Sequence, residues 1–180
     1  MRQCACILMI LLAAPHPLRS QEIVNSSYAA SNGERVLRLE SVVPISRGEA
    51  WKLFSTREGL RKWIAPVVAV DFRVGGVILT NYDSTKTTAD AGTIRLPILS
   101  YIEGELLTLR VVLNDKFPAS ARREDQNLQE IIQLLDAPGG KTRIISSMIG
   151  WGKGPGWDST YNFFARGNTW TYRELLRASR

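Results

Sequence analysis

From Glu34 the chain alternates: Leu37, Leu39, Ser41 and Val43 fall on one side, and Val36, Arg38, Glu40 and Val42 on the other. A two-residue period predicts a strand with one face toward a core, and Pro44 ends it. Ser46 followed by Glu49 makes a capping box, in which each side chain satisfies the other residue's free backbone N–H. Trp51 and Phe54 then share one side of a short helix. Thr56 is the expected N-cap of a second helix, which carries Leu60 and Trp63 before Pro66 stops it.

Beyond Pro66 the pattern is mostly β. Val67–Val74 and Val77–Tyr82 predict a hairpin around Gly75-Gly76, and the polar segment Asp83–Ala91 predicts a loop. Thr93–Tyr101 resumes the extended pattern, with Pro97 expected at a bulge or an edge. Glu103-Gly104 turns into Glu105–Leu113, where Leu107, Leu109 and Val111 share a face. Asn114–Gln126 is charged and expected to be mobile. Leu128–Leu135 and Thr142–Met148 form another hairpin. A glycine-dense stretch, residues 149–157, precedes a long helix that Asp158 is expected to cap and that runs to Ala178. Tyr161, Phe164, Thr171 and Leu175 lie near one stripe of it, with Trp170 beside them. Gly167-Asn168 is its weak spot, since glycine in a helix costs ~1 kcal/mol against alanine; a bend or close packing on the sheet is expected there. One strand, two short helices, a run of strands and one long helix make an α+β domain rather than alternating α/β.

The first twenty residues change the picture. Arg2 precedes an apolar run from Cys4 to Ala14, followed by polar residues as far as Ser20. This is the layout of a secretory signal peptide, and the run is short of the ~20 residues that cross a bilayer. Cleavage after Ser20 is expected, with Ala14 and Ala29-Ala30 as alternatives. Residues 21–33 then read as a flexible lead-in, and 34–180 as the folded domain. The expected location is periplasmic or secreted, with no stable membrane anchor.

Cys4, Cys6 and His16 are all the cysteines and the only histidine of the chain. A processed chain therefore lacks a disulfide, an imidazole base and the Cys or His ligands of zinc and copper sites. Carboxylate, lysine, tyrosine or hydroxyl chemistry remains. The net charge of +6 falls to +4 without Arg2 and Arg19, and the basic residues are scattered. A nucleic-acid binder concentrates them on one face, so no nucleic-acid partner is expected. Gly75-Gly76 lacks the spacing and following helix of a phosphate loop, and the Gly150–Gly156 cluster lacks the Lys-Ser/Thr ending of a Walker loop.

The stretch Val43-Pro44, Glu49-Ala50-Trp51-Lys52-Leu53-Phe54, Glu58-Gly59-Leu60, Trp63, Ala65-Pro66 and Asp71-Phe72-Arg73-Val74-Gly75-Gly76 resembles the SRPBCC (START-like, helix-grip) superfamily. The branch it resembles is the activator of heat-shock ATPase homologue domain. Gly139-Gly140-Lys141-Thr142-Arg143, Trp157, Phe163-Phe164, Gly167-Asn168 and Leu175-Leu176 are similar to that branch's last hairpin and closing helix. The resemblance covers residues 34–178. It implies a helix-grip fold: a curved antiparallel sheet around the C-terminal helix, with two short helices after the first strand. It also implies an inner cavity for a small hydrophobic molecule, and no single activity. Export would separate the chain from the cytosolic ATPase that the branch is named for.

The cavity candidates are Trp63, Phe72, Tyr82, Tyr101, Glu130, Trp151, Trp157, Tyr161 and Phe164. Trp51, Phe54 and Trp63 are also expected to hold the small helices to the sheet. Trp151 and Trp157 stand open between packing and facing a ligand from a mobile loop. Period two puts Glu130 with Ile132 and Leu134, where apolar neighbours would raise its pKa; a bulge or edge position letting it reach solvent is the expected escape. No catalytic constellation, cofactor site or metal site emerges. The expectation is a non-catalytic holder of a small hydrophobic or amphipathic ligand. A cyclase- or hydratase-like enzyme using a buried carboxylate or tyrosine beside Arg110 or Arg73, and a cell-envelope interaction module, are the alternatives.

Overall fold

The computed structural model describes residues 22–180. The segment expected to be a signal peptide, with Arg2, Cys4, Cys6, His16 and Arg19, lies outside the described residues. Nine strands form one antiparallel sheet: β1 Val24–Asn25, β2 Tyr28–Ala29, β3 Arg35–Val43, β4 Val67–Val70, β5 Val77–Asn81, β6 Ile94–Ile102, β7 Leu106–Arg110, β8 Gln129–Ala137 and β9 Lys141–Ile149. The order is β1-β3-β9-β8-β7-β6-β5-β4, with β2 also on β3. Two short helices, α1 Arg47–Ser55 and α2 Arg57–Arg61, follow β3; α3 Ala119–Arg122 and a 3-10 turn at Asp125–Asn127 precede β8; α4 Pro155–Ala178 closes the chain. This is the α+β order that the pattern predicts and the helix-grip fold that the resemblance implies.

Local signals set most element limits. On β3, Leu37, Leu39, Ser41 and Val43 are buried, as the alternation requires. Ser46 Oγ accepts from the Glu49 N–H at 3.3 Å, and a Glu49 carboxylate oxygen accepts from the Ser46 N–H at 3.0 Å. Ser46→Ala removes the first of these bonds and is expected to cost ~1 kcal/mol, read as a lower urea midpoint at unchanged slope. Thr56 Oγ1 accepts from the Gly59 N–H at 3.0 Å, and the Trp63 indole donates to the Leu53 carbonyl at 2.9 Å. α2 is thereby locked against α1, and α1 rests on β8 and β9.

Four expectations need correction. Residues 24–25 and 28–29, placed in a flexible lead-in, pair with β3 as edge strands. Asn114–Gln126, expected to be mobile, folds around Asp125, whose buried carboxylate accepts from the Leu113 N–H at 2.8 Å and meets Arg110 at 3.3 Å. Pro97 itself pairs with Val77 on β5, and the irregularity lies beside it, between Ile98 and Ser100 on the β7 side. α4 begins at Pro155 with Gly154 as its cap residue. Proline suits the first helical position because its missing N–H would be unpaired there anyway. Asp158 sits inside the first turn and pairs with Arg35 at 2.8 Å instead of capping.

α4 runs unbroken through Gly167 and packs on β3 and α3. Trp157, Tyr172, Leu175 and Leu176 join the core with Leu37, Leu39, Ile144 and Met148. No described helix is long and apolar enough to cross a membrane.

Candidate functional site

A cavity of about 320 Å³ lies between the inner face of the sheet and α4. That is roughly ten times the ~30 Å³ share of one water molecule, and within the range of small-molecule pockets. Period-two geometry builds its sheet wall. β5 supplies Ile78 and Thr80, with Tyr82 just past its end; β6 supplies Ile94 and Leu96; β7 supplies Leu107 and Leu109; β8 supplies Glu130 and Ile132. Helical spacing builds the opposite wall from Phe164, Gly167, Asn168, Thr171 and Tyr172. Phe54, Leu60 and Trp63 of the α1–α2 region close one part. Tyr82, Phe163 and Trp170 also line the space, yet are 50%, 55% and 53% exposed. These three aromatics therefore mark where the cavity opens. Lys116 lies among the same lining residues and is exposed.

The wall is apolar apart from a few groups, and Glu130 is the principal one. It sits on an inner strand in continuous register, opposite Leu109 on β7 and Met148 on β9. The bulge or edge that would have released Glu130 to solvent is absent, because β8 pairs on both sides along this stretch. Its Oε1 accepts from Ser146 Oγ at 2.6 Å and from the Tyr172 hydroxyl at 3.0 Å. Burial pushes the Glu130 pKa up, opposed by these two hydrogen bonds. Burial, and then the Glu130 charge, push the Tyr172 hydroxyl well above its ordinary range. Thr80 is a second polar feature: it is 1% exposed, and its hydroxyl has no hydrogen-bond partner among the described residues. An unpaired buried hydroxyl costs ~1–3 kcal/mol.

The Glu130 shift has a sign that can be measured. Between the ordinary value of 4.5 and its raised folded value, the folded state keeps a proton that the unfolded chain has released. Stability contributed by this group therefore falls as pH rises through that window. Glu130→Gln keeps an acceptor for Ser146 and Tyr172 and removes the titration. Its stability relative to the unsubstituted chain is expected to be flat in acid, to climb as pH passes 4.5 and to level off above the raised value. Urea midpoints across a pH series check this, and a difference independent of pH would show that Glu130 is not desolvated.

Of the sequence candidates, the structure brings Trp63, Tyr82, Glu130 and Phe164 to the cavity. The other five lie elsewhere. Phe72 and Tyr101 pack on each other and on Trp51, with ring centroids 5.0–6.2 Å apart. Trp151, Trp157 and Tyr161 form a cluster where the chain enters α4. There the Trp151 indole donates to the Met148 carbonyl at 3.0 Å, and the Trp157 indole to Glu124 at 3.1 Å. Arg35 lies over the Tyr161 ring at 4.9 Å. The glycines of this loop let backbone approach ring: a Cβ at Gly152 would stand 2.1 Å from the Trp157 indole nitrogen. These aromatics anchor the helix and do not face the cavity.

The sequence reading passed over Thr80, Gly167 as a cavity-facing position, and Tyr172. Thr80 shares the two-residue period of Tyr82, and Tyr172 lies four residues after Asn168 and three before Leu175. Both signals were present in the spacing. Arg110 and Arg73, the partners required by an enzymatic cavity, turn to Asp125 and Asp71 respectively. Among the described residues, no three His, Cys, Asp or Glu side chains gather as metal ligands.

A sheet gripping a long helix around an apolar cavity defines a helix-grip fold. Solved structures share this fold, an Aha1 dimer and CalU16 among them. The Aha1 dimer from Colwellia psychrerythraea superposes with a TM-score of 0.60 at 16% identity, covering 80% of this chain and 92% of that one. CalU16 from Micromonospora echinospora gives 0.64 at 13% identity over 91% and 77%. Protein MLL2253 from Mesorhizobium loti gives 0.62 at 17% identity over 80% and 96%. At such identities the likeness is one of fold. No family model matches the sequence, and no curated protein does.

Proposed function

We propose that this chain is an exported, non-catalytic binding protein that holds a small hydrophobic or amphipathic molecule between the sheet and α4. The supporting observation is the cavity of about 320 Å³, with apolar walls, a mouth rimmed by three exposed aromatics and a single buried carboxylate inside. Apolar pockets with a few placed polar groups are the usual form of small-molecule sites. Export rests on the pattern of residues 1–20 alone. The Aha1 likeness adds no ATPase-activating role, because a fold shared at 16% identity hosts many functions.

Native mass spectrometry of the protein purified from its own host tests the binding reading. A bound small molecule, released on denaturation and soluble in organic solvent, is expected. Loss of the reading would follow if no such mass is found and apolar fluorescent probes fail to bind. Amino-terminal sequencing of protein from cell fractions tests export: a start at Gln21 in the periplasm or medium is expected, and an intact Met1 inside the cell would remove it.

Acid–base catalysis is the second reading, and Glu130 is the observation that favours it. A carboxyl with a raised pKa in an apolar cavity is the form a general acid takes. Neither Arg110 nor Arg73 turns toward it, so the holder remains the leading reading. The interaction-module alternative gains no comparable support. Exposed Val42 and Leu135 stand on either side of Arg143 across the sheet, and that arginine pairs with Glu40.

A further inference from the structure

We infer that the cavity is built for an amphiphile whose polar part is a neutral oxygen function, a hydroxyl or a carbonyl, seated against Glu130. This rests on the reading of the cavity as a site for small apolar molecules and goes further by naming the head group. Both nearby donors, Ser146 Oγ and the Tyr172 hydroxyl, converge on Glu130 Oε1 at 2.6 and 3.0 Å. The other oxygen, Oε2, makes no hydrogen bond among the described residues, and Glu130 lines the cavity. Because Oε1 is occupied by two donors, a carboxyl proton belongs on Oε2, where it can be donated to a guest.

A pure hydrocarbon would shut Oε2 away from water and give nothing in return. A carboxylate guest would bring a second negative charge toward Glu130. The lining offers Lys116 as its one cation, and that side chain is exposed. An ammonium guest would need Glu130 ionised, against the burial that favours its neutral form. An uncharged oxygen group meets none of these penalties. It accepts from the carboxyl proton as a carbonyl, or exchanges donor and acceptor roles as a hydroxyl.

Displacement of an apolar fluorescent dye from the full-length protein by n-octanol, octanamide, octanoate, octylammonium and octane tests this. Octanol and octanamide are expected to bind about tenfold more tightly than the other three, equivalent to ~1.4 kcal/mol. Glu130→Leu is expected to abolish that preference while dye binding persists. Glu130→Gln, which still offers an acceptor to Ser146 and Tyr172 and a donor to the guest, is expected to retain it and serves as the folding control. Equal binding of all five probes, or tighter binding of octylammonium or octanoate, overturns the inference and leaves the apolar cavity standing. Failure of the dye and of every probe to bind removes the underlying reading as well.

Discussion

Gly150→Ala is expected to destabilise the protein by at least ~3 kcal/mol, among the larger effects of a single substitution. Two independent costs combine at this position. Gly150 has φ 80°, in the left-handed region, where an L-residue pays ~1–2 kcal/mol. A Cβ there would also stand 1.8 Å from the Asn127 carbonyl oxygen and 2.5 Å from its carbon. That neighbour is backbone, at the turn that feeds β8, and cannot swing aside as a side chain would. Gly140 separates the two costs: its φ is 69°, and nothing lies within 4 Å of its Cβ position. Gly140→Ala is expected to lose only the ~1–2 kcal/mol of backbone strain. Urea denaturation of both variants makes the comparison, and equal losses would show that the approach of Gly150 to Asn127 is unimportant.

The same contact explains where sequence reading failed. A run of glycines with two tryptophans suggests mobility, because local propensity offers nothing to hold it. Here the glycines exist so that other groups can come close: Asn127 against Gly150, the Trp157 ring against Gly152 and Ser120 against Gly156. The contacts of Gly150 and Gly156 join residues far apart in the chain, and no local period reports any of the three. What was legible was what local physics determines. The alternation of β3, the Ser46–Glu49 box, the Thr56 cap and the order of elements each depend on neighbours within a few residues.

The cavity was legible only in part, for a related reason. Alternation correctly put Glu130 inward with Ile132 and Leu134, and only the expectation of a bulge misplaced it. Whether an inward residue meets the cavity or the solid core depends on where α4 crosses the sheet. That crossing sends Tyr82 to the mouth, while Phe72 and Tyr101 pack under Trp51. Tyr172 illustrates the reverse case. It sits one position beyond Thr171 on the helix, and contact with Glu130 across the cavity distinguishes it from its neighbours.

Gly167→Leu is expected to abolish ligand binding while making the protein more stable. Glycine in a helix interior is costly, and relief of that cost alone contributes ~0.8 kcal/mol. Gly167 lines the cavity, and nothing lies within 4 Å of its Cβ position. A leucine there extends into the space a ligand would use, buries its own apolar surface and leaves the helix intact. Cavity filling of this kind contributes ~0.5–2 kcal/mol, so the melting temperature is expected to rise by about 3 °C or more. Affinity for an apolar dye is expected to fall at least tenfold, about 1.4 kcal/mol. Opposite signs for the two measurements carry the test, since a variant that merely misfolds loses both. Full binding by a stabilised Gly167→Leu protein would place the dye outside the space between β5–β8 and α4. A weakly helical residue kept open at the centre of the closing helix is what a binding cavity requires and what a packed core does not.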